Sequence, residues 1–307
     1  MTVLEAIQKS ADFLGRKDVE SPRLHAELLL AHLLKLPRMK LYLNFERVLT
    51  PGETDALREL VRRRALREPL QHITGTTSFC GCEIAVNGHA LVPRPETELL
   101  AELGWQFLST FNPQSSTALD FGAGTGCIAI ALAAKCPGAK ITATDISAEA
   151  LVLAGRNAAA NKVAGQIEFL QGDGFMALQN VGQTSGLSSI ENKKLETGAT
   201  PVLRFDLIIS NPPYIPTAEI ATLQPEVRDF DPRAALDGGG DGLEFYRRLA
   251  AEAKPFLKPH GKIMVEFGDG QAGAVKTIFE NEKWIVETVK EDYSHRARIL
   301  IARTNQF

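Results

Sequence analysis

The sequence predicts an α/β protein in which a doubly wound, mostly parallel sheet follows a small helical domain. Three observations carry this. From Ala118 onward, short apolar runs alternate with stretches of helical periodicity, as in strands joined by crossover helices. Residues 1–75 show only helical spacing. Residues 76–92, between these blocks, are rich in glycine and β-formers and read as a hairpin linker. The expected organisation is therefore a helical domain over 1–75, a β-hairpin over 76–92 and a ligand-binding domain over 93–307.

In the first block, Val3, Leu4, Ile7, Phe13, Leu14, Leu24, Leu28, Leu57, Leu60 and Val61 recur at steps of three and four, punctuated by Pro22, Pro37, Pro51 and Pro69. Ser21-Pro22 and Thr50-Pro51 read as an N-cap followed by proline at the first helical position. Arg62, Arg63 and Arg64, with Arg58 and Arg67, fit either a solvated helix face or a surface that docks an acidic partner or RNA. No residue pattern here carries chemistry, so the expected task is recognition.

Beyond the hairpin, Pro93-Arg94-Pro95-Glu96-Thr97-Glu98 opens a helix. Its carboxylates either complement the helix dipole or join Arg94 in a lid over a cofactor. The strand Ala118–Phe121 then enters Gly122-Ala123-Gly124-Thr125-Gly126, and an Ala-rich helix follows from Cys127. Small residues let a ligand approach the backbone closely. The next strand ends in Asp145, about 20 residues on, where a carboxylate accepts from both hydroxyls of a ribose. This is a Rossmann-like nucleoside pocket. Its Gly-x-Gly-x-Gly spacing departs from the dinucleotide fingerprint, which argues against NAD or FAD. Asp120 adds negative charge, suited to a cationic sulfonium and repulsive to a pyrophosphate.

Ser147 caps a helix running to Asn161, and the strand Ile167–Leu170 leads to Asp173, Gly174 and Phe175. Asp173 is placed to accept from an adenine amino group and Phe175 to pack on the base, the alternative for both being loop and core. Residues 180–204 lack apolar periodicity and read as an exposed, mobile insertion. Leu236 to Leu243, with its glycine cluster, reads as a loop beside the pocket, followed by a helix from Glu244 to Leu257. A strand over Lys262–Gly268, a helix over Gln271–Glu280 and a closing strand pair complete the chain.

The chemistry centres on Phe205 to Pro216. Phe205–Ile209 is a buried parallel strand, and Asn211-Pro212-Pro213-Tyr214 then forces the chain into a stiff extended turn at its carboxyl end. The Asn211 side-chain oxygen and the Pro212 carbonyl can accept both hydrogens of a planar NH2 group, and Tyr214 can stack on the substrate plane. Asn-Pro-Pro alone is also an ordinary loop breaker.

The formal charge of −3 over 307 residues gives no general attraction to nucleic acid or anionic membrane. Residues 1–75 hold 13 Lys/Arg against 10 Asp/Glu, a mild local excess of positive charge. Cys80, Cys82, Cys127 and Cys136 show no zinc-ligand spacing and read as free thiols. No leader pattern and no run of about 18 apolar residues is found, so the expected location is the cytoplasm.

Taken together, Arg67 to Gly75, Pro93 to Glu98, Asp120 to Gly126, Ala143 to Ser147, Asn211 to Tyr214 and Ala235 to Gly239 resemble, in order, the blocks of the HemK/PrmC-type release factor glutamine methyltransferases. The resemblance implies a class I methyltransferase with a seven-stranded sheet and a helical domain that grips the release factor. It implies S-adenosyl-L-methionine held by Gly122, Ala123, Gly124, Thr125, Gly126, Asp145, Asp173, Gly174, Phe175 and Asn211. Asn211, Pro212, Pro213 and Tyr214 would frame the glutamine amide of a Gly-Gly-Gln loop, whose N(5) nitrogen takes the methyl group. Gly174 stands where that family often has an aromatic residue, so Phe175 is expected to substitute. The expected partner is a peptide chain release factor, with no metal, no sequence-specific nucleic acid, no membrane and a monomeric state. Two other readings remain: an adenine amino-methyltransferase of RNA or DNA, which shares the Asn-Pro-Pro-Tyr tetrad, and a non-catalytic module that binds a translation factor.

Overall fold

The chain forms two compact units, and the computed structural model describes residues 1–111, 115–179 and 203–305. The 180–204 insertion lies, through residue 202, outside the described residues.

The helical unit comprises Met1–Thr76, Val86–Gly88 and Thr222–Asp231. Its helices are α1 (Val3–Gly15), α2 (Pro22–Leu34), α3 (Arg38–Leu41), α4 (Pro51–Ala65) and α5 (Leu70–Thr74). Their apolar stripes converge on a core that includes Val3, Ile7, Leu14, Leu29, Leu30, Leu57 and Val61. Helices α1 and α4 open with reciprocal capping boxes, Thr2 with Glu5 and Thr50 with Glu53. Ser21 differs from expectation. Its backbone is left-handed (φ 46°), its side chain makes no cap bond, and Pro22 alone marks the start of α2.

The inclusion of 222–231 in this unit is unexpected, since the segment lies downstream of the Asn-Pro-Pro-Tyr turn. Two arginines of the charged run hold it. Arg64 Nη2 donates to Glu226 Oε1 at 2.6 Å, while Arg67 donates from Nε (2.7 Å) and Nη2 (2.6 Å) to the two oxygens of the same carboxylate. Arg64 also donates from Nε to His25 Nδ1 at 3.0 Å. The run is thus split: Arg58 and Arg62 face solvent, while Arg64 is buried as a structural tie.

The second unit, Thr77–Ala85, His89–Ala221 and Pro232–Phe307, opens with the hairpin β1 (Thr76–Phe79) and β2 (Cys82–Ala85). Strands β3 (Thr117–Phe121), β4 (Lys140–Asp145), β5 (Ile167–Gln171), β6 (Phe205–Ser210), β7 (Leu257–Glu266), β8 (Ile285–Glu291) and β9 (Ala297–Arg303) form a seven-stranded sheet in the order β5-β4-β3-β6-β7-β9-β8. Strands β5 to β7 in that order pair in parallel, and β9 runs antiparallel to both of its neighbours. Every residue of β6 is buried, as its apolar run requires in mid-sheet. Chain order reverses between β3 and β6, the switch point at which open α/β sheets bind ligands.

Helices α6 (Pro95–Leu108), α7 (Cys127–Lys135) and α8 (Ala148–Ala160) cover the sheet. The helix expected to reach Leu257 ends at Glu252, because Pro255 cannot extend it; a 3₁₀ turn over Lys254–Phe256 feeds β7 directly. Asn157 on α8 ties the hairpin down, accepting from Ala85 N at 2.9 Å and donating to the carbonyls of Ala85 and Thr125 at 3.0 Å each. Among the described residues, no helix is long and apolar enough to cross a membrane.

Candidate functional site

A cavity of about 550 Å³ opens at the carboxyl ends of β3, β4, β5 and β6. Each strand contributes from the residues immediately beyond it: Gly122 and Gly124 after β3, Asp145 and Ile146 at the end of β4, Asp173 and Gly174 after β5, and Asn211 and Pro213 after β6. His89, Ala90 and Leu91 border it from the segment after the hairpin, and Asp237, Gly239, Glu244 and Phe245 from the glycine-cluster loop and the helix that follows it.

Asp145 is fixed edge-on by backbone donors. Gly124 N reaches Oδ2 at 2.8 Å and Ser147 N reaches Oδ1 at 2.9 Å, which leaves each oxygen a further lone pair. Asp120 behaves otherwise. It is fully buried below the loop, where Oδ2 accepts from Ala129 N at 3.0 Å. Burial pushes its carboxyl up to about 7, helped by Asp145 and opposed by the Ala129 bond. It is therefore not the steady negative charge expected from sequence, because the core disfavours its ionised form.

The Asn-Pro-Pro-Tyr turn is held from three sides. Ser210 Oγ donates to Phe121 O at 2.6 Å, joining the ends of β6 and β3. Gln271 Nε2 donates to Tyr214 O at 2.9 Å while its Oε1 accepts from Gly268 N at 2.9 Å. The glycine-cluster loop bonds alongside, with Ile215 N to Leu236 O at 3.0 Å and Gly238 N to Ile215 O at 2.9 Å. That approach explains Gly238, where a Cβ would lie 2.8 Å from Pro213 O and from Tyr214 Cα. Asn211 Nδ2 donates to the Thr97 hydroxyl at 3.0 Å.

The residues singled out in the sequence divide by position. Gly122, Gly124, Asp145, Asp173, Gly174, Asn211 and Pro213 line the cavity. Ala123, Thr125, Gly126 and Pro212 are buried beneath it. Tyr214 is half-buried and packs against the core of the sheet. Phe175 departs from its expected place on a base. It is 2% exposed, stacks on Phe256 with centroids 4.8 Å apart and tilts against Phe121 at 5.0 Å. Ile146, 62% exposed and next to Asp145, is among the apolar residues that line the cavity, with Leu91, Phe121 and Phe245. Asp173 is ion-paired with Arg248, whose Nη2 also donates to Asp173 O at 2.9 Å. Arg94, Glu96 and Glu98 do not line the cavity; Glu98 accepts from Cys80 N at 2.9 Å and so steadies the hairpin turn.

Comparison with known proteins gives two matching family models, the PrmC N-terminal domain over residues 5–75 and the methyltransferase small domain over residues 103–185. The chain is 42% identical to a release factor glutamine methyltransferase of Geobacter sulfurreducens, over 91% of this chain and 88% of that one. It is 39% identical to a protein of the same name from Chlorobaculum tepidum, over 95% and 94% of the two chains. Among solved structures, the catalytic domain of hMettl16 in complex with an RNA hairpin of the MAT2A 3′UTR superposes with a TM-score of 0.51 at 15% identity, covering 81% of this chain and 84% of that one. That likeness concerns the fold alone.

Proposed function

The chain belongs to the release factor glutamine methyltransferase family, and from that premise we propose that it transfers a methyl group from S-adenosylmethionine to the side-chain amide nitrogen, N(5), of the glutamine in the Gly-Gly-Gln motif of peptide chain release factors. The observation that carries the reading is the Asn211 amide, hydrogen-bonded to Thr97 on the wall of a cavity that the Asp145 carboxylate also lines.

The cavity fits a nucleoside with a charged tail. Its volume of about 550 Å³ lies in the range of small-ligand sites. Gly122 and Gly124 present bare backbone, Asp145 retains acceptor capacity for a ribose diol, Ile146 offers an apolar face for a base, and Asp173 stands beside it for an amino group. Gly126, Ala123 and Thr125 shape the loop from beneath. When bound, S-adenosylmethionine supplies a methyl carbon on a positively charged sulfur, so the accepting nitrogen needs alignment more than a base. In this reading Asn211 Oδ1 and the Pro212 carbonyl accept the two N–H hydrogens of the glutamine amide, pointing its nitrogen at that carbon. Pro213 and Tyr214 frame the amide, their backbone locked by Gln271 and the glycine loop. The helical unit is proposed to recognise the release factor, consistent with its match to the PrmC N-terminal domain.

The test is intact-peptide mass spectrometry of an unmethylated release factor incubated with this protein and S-adenosylmethionine. One added methyl on the Gly-Gly-Gln glutamine is expected with the native chain. With Asn211→Ala, transfer should slow by about 10²–10³-fold, the usual effect of removing one preorganised hydrogen-bonding group. An unmodified release factor, despite demonstrated binding of S-adenosylmethionine, overturns the proposal and redirects the search to adenine in RNA or DNA.

A further inference from the structure

The turn that follows β5 is held by one side chain from a distant part of the chain. Arg248 lies on the helix Glu244–Glu252, whose first turn supplies Glu244 and Phe245 to the cavity lining. It stands three and four residues beyond them, so it shares their face of the helix one turn along. Its guanidinium forks onto a single residue: Nη1 donates to Asp173 Oδ1, and Nη2 donates to Asp173 O at 2.9 Å. Nε donates to Glu252 Oε2 at 3.3 Å and so ties the guanidinium to its own helix.

Two features set this contact apart from an ordinary surface ion pair. The fork joins the side chain and the main chain of the same residue, so it fixes both the backbone of the turn and the rotamer of Asp173. The turn is also shaped around the guanidinium. Gly174 has φ 60°, and a Cβ there would lie 2.8 Å from Arg248 Nη2 and 2.9 Å from the Phe121 ring. Asp173 and Gly174 line the cavity, whereas Arg248 stands behind them. With Oδ1 taken by Arg248, the Asp173 oxygen left to accept from a ligand is Oδ2.

We propose that Arg248 is a positioning residue that sets the base selectivity of the cofactor site, holding Asp173 so that Oδ2 meets the 6-position of a purine and favours a 6-amino over a 6-oxo base. The inference rests on the function proposed above and goes beyond it in naming what enforces the choice of adenine. An amino group donates to the fixed oxygen. A 6-oxo group is a second acceptor, which leaves Oδ2 without a donor and meets its charge. The tether also keeps Oδ2 from shifting to the N1–H that a 6-oxo purine carries. A carboxylate free to turn would escape both constraints by rotating into water, since the Asp173 side chain is 57% exposed. Holding it in place removes the ordering cost from the binding step. Selectivity therefore needs the tether as well as the carboxylate.

The experiment measures, by calorimetry, the affinities of S-adenosyl-L-homocysteine and S-inosyl-L-homocysteine for the native chain, Arg248→Met, Arg248→Lys, Asp173→Ala and the double variant Arg248→Met with Asp173→Ala. Melting temperatures check folding. The native chain is expected to bind the adenosyl ligand about 10²-fold more tightly, the scale of one hydrogen bond to a charged group. Arg248→Met, which keeps the bulk of the stem, should reduce that ratio to about 10 or below, and Arg248→Lys, which keeps the charge without the fork, should stand between the two. In the double variant Arg248→Met should add nothing to the effect of Asp173→Ala on the ratio, because Arg248 acts through that carboxylate. A purely structural role would lower the melting temperature and weaken both ligands alike, leaving the native ratio intact in Arg248→Met, and that result overturns the inference. A native chain that binds the adenosyl ligand without preferring it overturns the inference as well. A native chain that binds neither ligand overturns the proposed function and this inference with it, whereas the preceding two results leave that function standing.

Discussion

Two glutamates, one half-buried in the helical unit and one buried in the sheet unit, have opposite electrostatic fates. Glu226 is half-buried, and burial alone would raise its pKa, but the hydrogen bonds from Arg67 and Arg64 outweigh that and hold it at about 2. Glu266, 3% exposed, is more deeply buried, has no ion pair among the described residues, and rises to about 7. The first is the pattern of a tie whose charge is satisfied on all sides. The second leaves a buried carboxyl near its neutral form, an arrangement that natural chains retain where function needs it. Burial and bonded partners act together: two arginines hold the half-buried Glu226 low, and the deeper Glu266, without such a pair, is pushed up.

The comparison is broken most directly at Glu226. Glu226→Gln keeps the shape but leaves Arg64, itself 3% exposed, without its anion. A loss of about 3 kcal/mol is expected at pH 7. The sign with pH follows from the lowered value: stability from this group is present above about 4.5 and fades as pH falls toward about 2. Native and variant proteins should converge over that window, as read by hydrogen exchange of amides in α4 and residues 222–231. A difference that does not change with pH would show that the ion pair is not its source.

Glu266→Gln should act in the opposite direction. A raised folded pKa means that stability is fully present below about 4.5 and is lost as pH rises through about 7. Replacing the group with a neutral one is expected to gain about 1–2 kcal/mol at pH 8 and nothing near pH 4. Melting curves at the two pH values check this. A variant destabilised at pH 8 would place Glu266 with Glu226 as a structural group.

Gly126 sharpens the contrast from the packing side. It begins α7 with φ 77°, and a Cβ there would lie 2.9 Å from Ala154 Cβ and 3.3 Å from Ala154 Cα. Its role is close packing of loop on helix α8, with no direct lining of the cavity. Gly126→Ala is expected to cost about 1–2 kcal/mol, through strain at positive φ and overpacking. Cofactor affinity of the folded fraction, measured by calorimetry, should change less than the melting temperature.

What could be read from sequence was what local pattern encodes. The apolar run of β6, the glycine loop and Asp145 are each announced by neighbours within a few residues, and all lie at the switch point. Ile146 and Phe175 were not separable, because which of two apolar residues faces a cavity depends on how a loop leaves the sheet. Thr97 and Gln271 were invisible as supports of the Asn-Pro-Pro-Tyr turn, since their partners are remote in sequence. The same is true of Glu226. Nothing local in residues 222–231 indicates that they pack with helices formed near the start of the chain.

The smallest effect tests the arginine run itself. Arg62 is 59% exposed and pairs with Glu59 on its own helix at 2.7 Å, whereas Arg64, two residues on, is buried against Glu226 and His25. An exposed pair at this spacing is worth a few tenths of a kcal/mol, since water screens it and two long side chains must be held still. Arg62→Ala should therefore change stability by less than about 0.5 kcal/mol, and Arg64→Ala by several times more, in denaturant titrations of the same protein. If Arg62→Ala leaves stability intact but raises KM for the release factor, the solvated part of the run is a docking surface. If stability and KM both stay unchanged, Arg62 is only a solvated face of α4, and the proposed recognition role of the helical unit does not use it.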